Sequence, residues 1–408
     1  MKPSLRRALF ALVVIAMTTG TAQAQLVILA LSAKSMFKSV QGVSKDEIKV
    51  GTLQDLSGPL ADLGAQIRNG MVLRVEEINE QGGLNGRKLT LLIEDNGYDP
   101  GKAAQAAQKL VNQDKVFAVL GHLGTATNLA AMPIQFEKGV FNFFPVSAAR
   151  EMYEPVHPLK FAFAASYFDQ MRAGVRELKR HHPSTRPCAL YQDDAFGLDV
   201  LRGAEAALKA EGKAFVEKIA YARQTADFAT AVARMMTAHC DLVVLGTAQV
   251  ETVATLTEAR KAGFSPTFIA SSAAYTERIH TQAGDAANGL YAMHTAAQPY
   301  LDTADDKLRF WANKYQTRFG EHPTVFSTYG YTVVDTFAAA VRAAGTGLNG
   351  EGFVKAMEAM KVPPDLFGSP ALHFSARQRL GSHASRMSQI QMGRWVSVSG
   401  YLRVPHTD

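Results

Sequence analysis

The chain has 408 residues and a formal net charge of +6. This length exceeds what one hydrophobic core usually supports, so two lobes are expected. The lysines and arginines form no dense cluster and are not interleaved with aromatic residues, which argues against a nucleic-acid partner.

The first 24 residues are predicted to form a secretory signal peptide. Three basic residues precede an apolar run at 8–17, and cleavage is expected after Ala24. About ten apolar residues are too few to span the roughly 30 Å of a bilayer core, which argues against a membrane anchor. A second apolar run at 26–31 extends the signal, shifts the cleavage site or starts the mature chain, and the sequence leaves these alternatives open. The prediction is an exported protein with an amino-terminal extension at 25–46.

Residues 48–100 predict a βαβ unit. An apolar strand leads through a loop with Ser57, Gly58 and Pro59 into an amphipathic helix, and a Gly-Gly turn precedes a second strand. A strand that ends in a polar loop before a helix directs unpaired backbone N–H groups beyond the sheet edge. This unit therefore predicts one wall of a site for a small polar ligand.

Strands and helices continue to alternate through two series. The first series predicts helices at 102–114 and 128–138 and strands at 117–120, 140–144 and 160–164. The second predicts helices at 170–181, 200–211, 228–238 and 252–262 and strands at 189–192, 216–220, 241–245, 267–270 and 289–294. Regular alternation of this kind predicts a parallel, doubly wound sheet in each series.

The remaining helices are expected to return to the first lobe. An aromatic-rich helix near 310–319 and a helix at 327–344 each need a sheet to cover, and the second lobe already has its full set of elements. A helix at 353–360 and short strands at 371–374 and 388–395 are predicted to close the hinge. The fold class is thus α/β with two Rossmann-like lobes. The expected bounds are 47–167 with 296–376 for lobe 1, 168–295 with 377–404 for lobe 2, and 405–408 for a tail.

Two cysteines, Cys188 and Cys240, each precede a predicted strand. Export permits a disulfide. Bridging requires Cα atoms within about 7 Å, which nothing in the sequence indicates, so two separate buried thiols are the favoured interpretation. The spacing of these cysteines fits no metal site.

Catalytic and cofactor motifs are missing from the sequence. It contains no His-Glu-x-x-His, no Gly-x-Ser-x-Gly, no phosphate-binding loop and no Gly-x-Gly-x-x-Gly. We therefore predict that the protein is not an enzyme and that it uses no catalytic residue, metal or cofactor.

Small polar residues follow the predicted strands, where open α/β sheets bind ligands. Thr125 or Thr127 is expected to cap a helix whose N–H groups face the cleft, and plain capping is favoured for Thr127. Ser147 and Ala148 leave room above the next strand. The corresponding loops of the second lobe contribute Phe196, Ala248, Ser272 and Tyr275.

Several short motifs together resemble the leucine/isoleucine/valine-binding family of type I periplasmic binding proteins, which deliver ligands to ABC transporters. The resemblance covers about 48–395. Its clearest pieces are Ser57-Gly58-Pro59, Ile78-Asn79 with Gly82-Gly83, Asp95 with Asp99-Pro100, Gly121-His122-Leu123, Asp193 with Phe196-Gly197, Asp227-Phe228, and Ala259-Arg260 with Gly263. It implies two lobes joined by three crossovers that close on a ligand. It also implies a periplasmic monomer that works with an inner-membrane ABC permease; a ligand-sensing subunit for a receptor is the alternative.

The resemblance also carries over site residues. Positions that hold an amino acid's carboxylate in the family match Thr125, Val146 and Ala148, with Ser147 as a substitute hydroxyl where Ala148 has none. The family's acids for the ligand ammonium fall on Tyr167 and Ser272, which are not anionic near pH 7. The family's first-lobe cysteine pair is replaced by Tyr98 and Gly124, a change expected to affect stability only.

The expected ligand is therefore largely apolar. An unpaired ammonium in the cleft would cost several kcal/mol, so an aromatic or aliphatic carboxylate is preferred to an α-amino acid. A branched-chain amino acid is the alternative. The predicted ligand-binding residues are Ser57, Leu123, Thr125, Val146, Ser147, Ala148, Tyr153, Tyr167, Phe196, Ala248, Ser272, Tyr275 and Phe326.

Overall fold

The computed structural model describes residues 40–181, 186–223, 225 and 227–403. The predicted signal peptide, nearly all of the predicted extension and the tail at 405–408 lie outside the described residues. Within the described part of the chain, no helix is both long and apolar enough to cross a membrane.

The first sheet has five parallel strands in the order β2-β1-β3-β4-β5. Its strands are β1 (Glu47–Gln54), β2 (Lys88–Asp95), β3 (Ala118–Leu120), β4 (Phe141–Phe143) and β5 (Lys160–Phe161). Val50 of β1 lies opposite Leu91 on one side and Ala118 on the other, which makes β1 a central strand. Such a strand is covered on both faces and is accordingly buried along most of its length.

Three helices connect these strands: α1 (Ala61–Glu80), α2 (Pro100–Gln108), which continues through a π turn (Lys109–Gln113), and α3 (Thr125–Glu137). The start of α2 follows from its sequence. The Asp99 side chain accepts a hydrogen bond from the backbone N–H of Lys102, and Pro100 occupies the first helical position, where a missing N–H costs nothing.

The second sheet has seven strands in the order β12-β11-β10-β9-β8-β6-β7. Its elements in chain order are α4 (Tyr167–His181), β6 (Pro187–Gln192), α5 (Ala195–Lys209), β7 (Glu217–Tyr221), α6 (Ala229–Thr237), β8 (Leu242–Gly246), α7 (Gln249–Lys261), β9 (Thr267–Ala270), α8 (Glu277–Ala283) and β10 (Tyr291–His294), followed much later by β11 (Arg386–Gln391) and β12 (Arg394–Ser397). Strand β11 pairs antiparallel with both β10 and β12, and the other pairings are parallel.

The helices α9 (Asp306–Phe319), α10 (Val325–Ala344) and α11 (Gly350–Ala359) complete the fold. Helix α10 packs directly on α1, a helix of the first lobe. A Cβ atom built on Gly330 would lie 2.0 Å from the carbonyl oxygen of Ile67, and one built on Gly70 would lie 2.0 Å from that of Ser327. Only glycine permits this approach of the two backbones.

The chain passes between the two sheets three times: after β5, after β10 and again before β11. The first and third passes touch, because Ala162 forms a parallel bridge with Leu380. The predicted strand at 371–374 is wrong. Leu372 makes only an isolated antiparallel bridge to Val362, so this segment runs as a connection rather than as part of a sheet.

Aromatic rings form the core of the first lobe beside α10 and α11. The ring of Phe353 lies 4.9 Å from Phe141, 5.4 Å from Phe337 and 5.6 Å from Phe117, centroid to centroid. These phenylalanines come from the sheet and from both late helices. The core therefore depends on the return of the chain to the first lobe.

The cysteines form a disulfide, which corrects the interpretation as two separate thiols. Cys188 and Cys240 are bonded, with their Cα atoms 5.8 Å apart. Cys188 lies in β6, and Cys240 precedes β8. These strands are separated by β7 in the sequence but are neighbours in the sheet.

Candidate functional site

A cavity of about 610 Å³ lies between the two lobes, beyond the carboxyl ends of the parallel strands. Loops after β3, β4 and β5 form its first wall, and loops after β8 and β9 form the facing wall. The residues that line it are Leu60, Leu63, Tyr98, Leu123, Gly124, Thr125, Pro145, Val146, Ser147, Ala148, Phe163, Ala164, Tyr167, Phe196, Ala248, Ser272, Ala273, Phe326 and Tyr329. A mainly apolar lining with a few polar groups is typical of a small-molecule site.

Ten of the thirteen predicted ligand-binding residues line this cavity: Leu123, Thr125, Val146, Ser147, Ala148, Tyr167, Phe196, Ala248, Ser272 and Phe326. The strand ends bring them together, as the topology of an open α/β sheet requires.

Ser57, Tyr153 and Tyr275 lie outside this cavity. Ser57 belongs to the loop after β1, where its N–H is directed at Asp55. Tyr153 packs in a separate apolar cluster of the first lobe. The ring of Tyr275 stacks on His294 with the centroids 4.0 Å apart. Each residue follows a strand or lies in a loop, but none of the three lines the cleft, an outcome that the sequence does not reveal.

Two hydroxyl groups meet at the start of α3. Thr125 Oγ1 and Ser147 Oγ lie 2.8 Å apart and hydrogen-bond to each other. The first N–H groups of an α-helix have no partner within the helix, and the helix dipole favours negative charge at this end. The arrangement suits a carboxylate oxygen, which can accept from both hydroxyls and from the backbone.

The prediction that Thr125 or Thr127 caps α3 is wrong. The residue before the helix is Gly124, with φ of 97°, and no side chain caps this end. Thr127 lies inside the first turn, where its hydroxyl donates 2.6 Å to the carbonyl oxygen of Leu123. The glycine is needed here for space as well as for its positive φ, because a Cβ atom would lie 2.6 Å from the ring of Tyr98.

Buried amides support the loop that presents this site. The side-chain amide of Gln54 donates 2.9 Å to the carbonyl oxygen of Gly121, and that of Asn128 donates 2.8 Å to the carbonyl oxygen of His122. The His122 ring, 3.2 Å from the amide of Asn96, is fully buried, and its burial lowers its pKa to about 3. The imidazole is therefore neutral at physiological pH and adds no charge beside the cavity.

Tyr98 has a larger role than its expected effect on stability alone. It lines the cavity, contacts Gly124, and lies under the guanidinium of Arg223, 4.8 Å from the ring centroid. Arg223 also pairs with Asp194 at 3.1 Å. Tyr98 thus connects the first lobe to the second. The family resemblance matched Tyr98 and Gly124 to a cysteine pair, but nothing in the sequence indicated the contact between Tyr98 and Arg223.

The rest of the lining is aromatic or aliphatic. The rings of Tyr167 and Phe196 meet edge to face at 4.9 Å, and Phe326 meets Tyr329 in the same way at 5.7 Å. Burial raises the pKa of Tyr167, so its phenol stays neutral. Such rings provide a large apolar contact area with defined edges.

None of the described residues that line the cavity carries a formal charge. Tyr167 and Ser272 occupy the positions expected for ammonium-binding acids. The backbone N–H of Ser272 donates 2.8 Å to the amide oxygen of Gln170, which holds the loop after β9 in place. The described residues include no group of three or more potential metal ligands.

Sequence reasoning missed several lining residues. Leu60 and Leu63 come from the start of α1, Pro145 precedes the predicted Val146, and Phe163 and Ala164 follow β5. The predicted strand at 160–164 is shorter in the structure and ends at Phe161, which places Phe163 in the loop that follows. Nothing in the sequence indicated Tyr329, because it lies in the interior of α10.

Salt bridges join the lobes on either side of the cavity. Arg278 of α8 pairs with Asp62 of α1 at 2.8 Å. Arg150, which follows β4, pairs with Asp199 of α5 at 2.6 Å. The structure therefore shows the two lobes in contact around the cavity.

Comparison with known proteins identifies the family. The profile of the periplasmic binding protein family matches residues 47–394. A Leu/Ile/Val-binding protein homologue of Brucella abortus is 25% identical over 332 residues, which cover 77% of this chain and 80% of the relative. A substrate-binding protein of a fatty acid ABC transporter from Thermomonospora curvata superposes with a TM-score of 0.82 at 21% identity, covering 90% of this chain and 95% of the other.

A solute-binding protein of an R. palustris ABC transporter, solved in complex with benzoate, has a TM-score of 0.77 at 19% identity over 88% of this chain and 97% of the other. Together with the two-lobed fold, these matches show that the chain belongs to the leucine/isoleucine/valine-binding family of type I periplasmic binding proteins, which bind small molecules for ABC transporters.

Proposed function

We propose that this protein captures a largely apolar carboxylate by closure of its two lobes and delivers it to a membrane transporter. The carboxylate is held at Thr125 and Ser147, and the apolar body lies against the aromatic and aliphatic lining. The observation that carries the proposal is the cavity without a charged side chain, which has two hydroxyls at a helix start as its polar feature.

A carboxylate suits this cavity better than an amino acid does. Hydroxyls and helix N–H groups compensate a negative charge without a basic side chain. A ligand ammonium group needs a carboxylate as its partner, and Tyr167 and Ser272 stand where the family has its acidic side chains. The likeness to structures described as fatty-acid- and benzoate-binding supports this ligand class. The names of the Leu/Ile/Val-binding relatives support the amino acid alternative.

Isothermal titration of the purified mature protein with octanoate, benzoate and leucine tests the proposal. We expect heat from octanoate or benzoate and none from leucine. Tight leucine binding with no response to either acid would overturn it. Native mass spectrometry of protein purified from its own host is an independent check, because a molecule bound during export is observed directly.

A separate experiment addresses the sensing alternative. A binding subunit for transport and a sensory subunit for a receptor would share the same ligand chemistry. Uptake of the bound acid by cells with and without the gene distinguishes them, since only transport predicts lost uptake.

A further inference from the structure

A second cavity, of about 1000 Å³, lies between α10 and the segment 360–372. Its lining is mainly apolar and includes Phe163, Ala339, Met360, Val362, Leu366 and Phe367. It is larger than the first cavity and lies beside the connections between the lobes. Phe163 comes from the first pass of the chain and Thr295 from the second.

A thin wall separates the two cavities. Phe163 lines both of them, and Tyr329, whose ring meets that of Phe163 edge to face at 5.5 Å, lines the first. Behind Tyr329 lies Thr295, which lines the second. The two cavities thus share Phe163, and the neighbouring side chains of Tyr329 and Thr295 line one cavity each.

Two buried hydroxyls lie in this wall. In the described part of the chain, the Tyr329 hydroxyl and Thr295 Oγ1 are both buried and neither makes a hydrogen bond of ordinary geometry. Burial raises the pKa of Tyr329, and the neighbouring Thr295 hydroxyl opposes the rise.

We propose that the second cavity receives the distal end of an alkyl chain whose carboxylate is held at Thr125 and Ser147. This inference rests on the proposed function and narrows its ligand to long-chain aliphatic acids. Each methylene that leaves water for an apolar lining adds affinity.

The acidic groups at the second cavity are already engaged. Asp365 accepts from the Thr332 hydroxyl at 2.9 Å, and Asp335 pairs with Arg74 at 2.7 Å. Neither carboxylate is left as a lone charge facing an apolar chain.

Blocking the second cavity tests the inference. Ala339 is exposed on α10 at the cavity lining, so Ala339→Trp fills the space without disturbing the core. Val362→Trp fills it from the other wall. Ala343→Trp, at an exposed site of the same helix outside the cavity lining, is the matched control. Titration calorimetry of the full mature chain with octanoate and tetradecanoate measures each variant.

We expect each blocking variant to weaken tetradecanoate binding at least tenfold and to change octanoate binding less than twofold, whereas the control changes neither. If octanoate binds but tetradecanoate binds equally well with and without the blocks, or not at all, this inference is overturned and the proposed function stands. Failure of octanoate and tetradecanoate to bind would overturn this inference, and failure of benzoate as well would overturn the proposed function.

Discussion

The Nε atom of Arg150 donates a 2.6 Å hydrogen bond to Oδ1 of Asp199, joining the loop after β4 in the first lobe to α5 in the second. The Asp199 side chain is only 2% exposed, and its other oxygen accepts from the backbone N–H of Phe168. The Arg150 guanidinium also lies over the Phe168 ring, 4.4 Å from its centroid. A buried acid is thus balanced by a cation from the opposite lobe.

Replacement of this cation should destabilise the protein. Arg150→Ala leaves the Asp199 carboxylate buried without its main partner, at a cost of about 1.5–3 kcal/mol for a lost hydrogen bond to a charged group. Urea unfolding followed by circular dichroism measures the effect. Lys355→Ala, which removes an exposed pair with Glu351, is the control and should have no measurable effect. An equal loss in the two variants would contradict the importance of the contact between the lobes.

Asp199 should also make stability depend on pH. Burial raises its pKa to about 6, against the opposing effect of Arg150, from an ordinary value of 3.8. The folded state therefore binds this proton more tightly than the unfolded state. The resulting stabilisation is present below pH 3.8 and is lost as the pH rises through 6.

The variant Asp199→Asn does not titrate and isolates this contribution. We compare the free energy of unfolding of this variant with that of the parent protein at each pH. The difference, variant minus parent, should be larger at pH 7.5 than at pH 4 by up to about 3 kcal/mol. Urea unfolding at both pH values provides the comparison. A difference that does not change with pH would show that the folded and unfolded states hold this proton equally.

Two buried histidines have the opposite effect on the pH dependence of stability. Burial lowers the pKa values of His122 and His294 to about 3 from an ordinary value of 6.5. Their stabilising effect is present above pH 6.5 and is lost as the pH falls towards 3. Because there are two of them, we expect the parent protein to lose stability on acidification from pH 6.5 to 4. His294→Gln should flatten that profile, and an unchanged slope would count against the assignment.

The disulfide should contribute measurably to the second lobe. Cys188 and Cys240 are separated by 52 residues, and closing a loop of that size stabilises a folded protein by about 4 kcal/mol in the chain-entropy model. The double variant Cys188→Ser/Cys240→Ser should unfold at lower urea concentration, as should the reduced parent. Thiol titration of the denatured protein should find no free cysteine before reduction. Two free thiols would contradict the bond.

Contact between α1 and α10 makes Gly330 sensitive to substitution. Alanine normally stabilises a helix interior by up to about 1 kcal/mol relative to glycine. Gly330→Ala should instead destabilise by about 1–3 kcal/mol, because its Cβ atom would meet the backbone of Ile67 at 2.0 Å. Gly352→Ala in α11 is the control, since its nearest neighbour lies at 3.6 Å and the usual stabilisation should appear. Thermal unfolding of both variants gives the comparison.

Removal of one hydroxyl tests the proposed carboxylate site. Thr125→Val keeps the shape of the side chain but removes a donor to the ligand, so the dissociation constant for octanoate should rise tenfold or more. Thr257→Val, on α7 and outside the cavity lining, removes a hydroxyl that bonds only to the helix backbone and should leave binding unchanged. Equal affinities in the two variants would place the carboxylate elsewhere.

Local sequence patterns predicted most helices and strands because hydrophobic period and turn residues reflect local physics. The strand at 267–270 matches the structure, and the helix predicted at 327–344 starts only two residues late. The predictions were wrong where contacts with residues distant in the chain determine the local structure. The segment 371–374 has strand-like residues but makes only an isolated bridge to Val362. Thr127 lies inside the first turn of α3, and Gly124, packed against Tyr98, precedes the helix.

The sequence by itself determined the α/β class, the two series of elements and the loops from which the cavity is built, because each depends on residues near one another in the chain. Only the tertiary structure decided which side chains face the cleft. It directs Tyr153 and Tyr275 into separate packing, brings Tyr329 in from a distant helix, and joins Cys188 to Cys240. These outcomes depend on which elements become neighbours, and that order is set by packing across the whole fold.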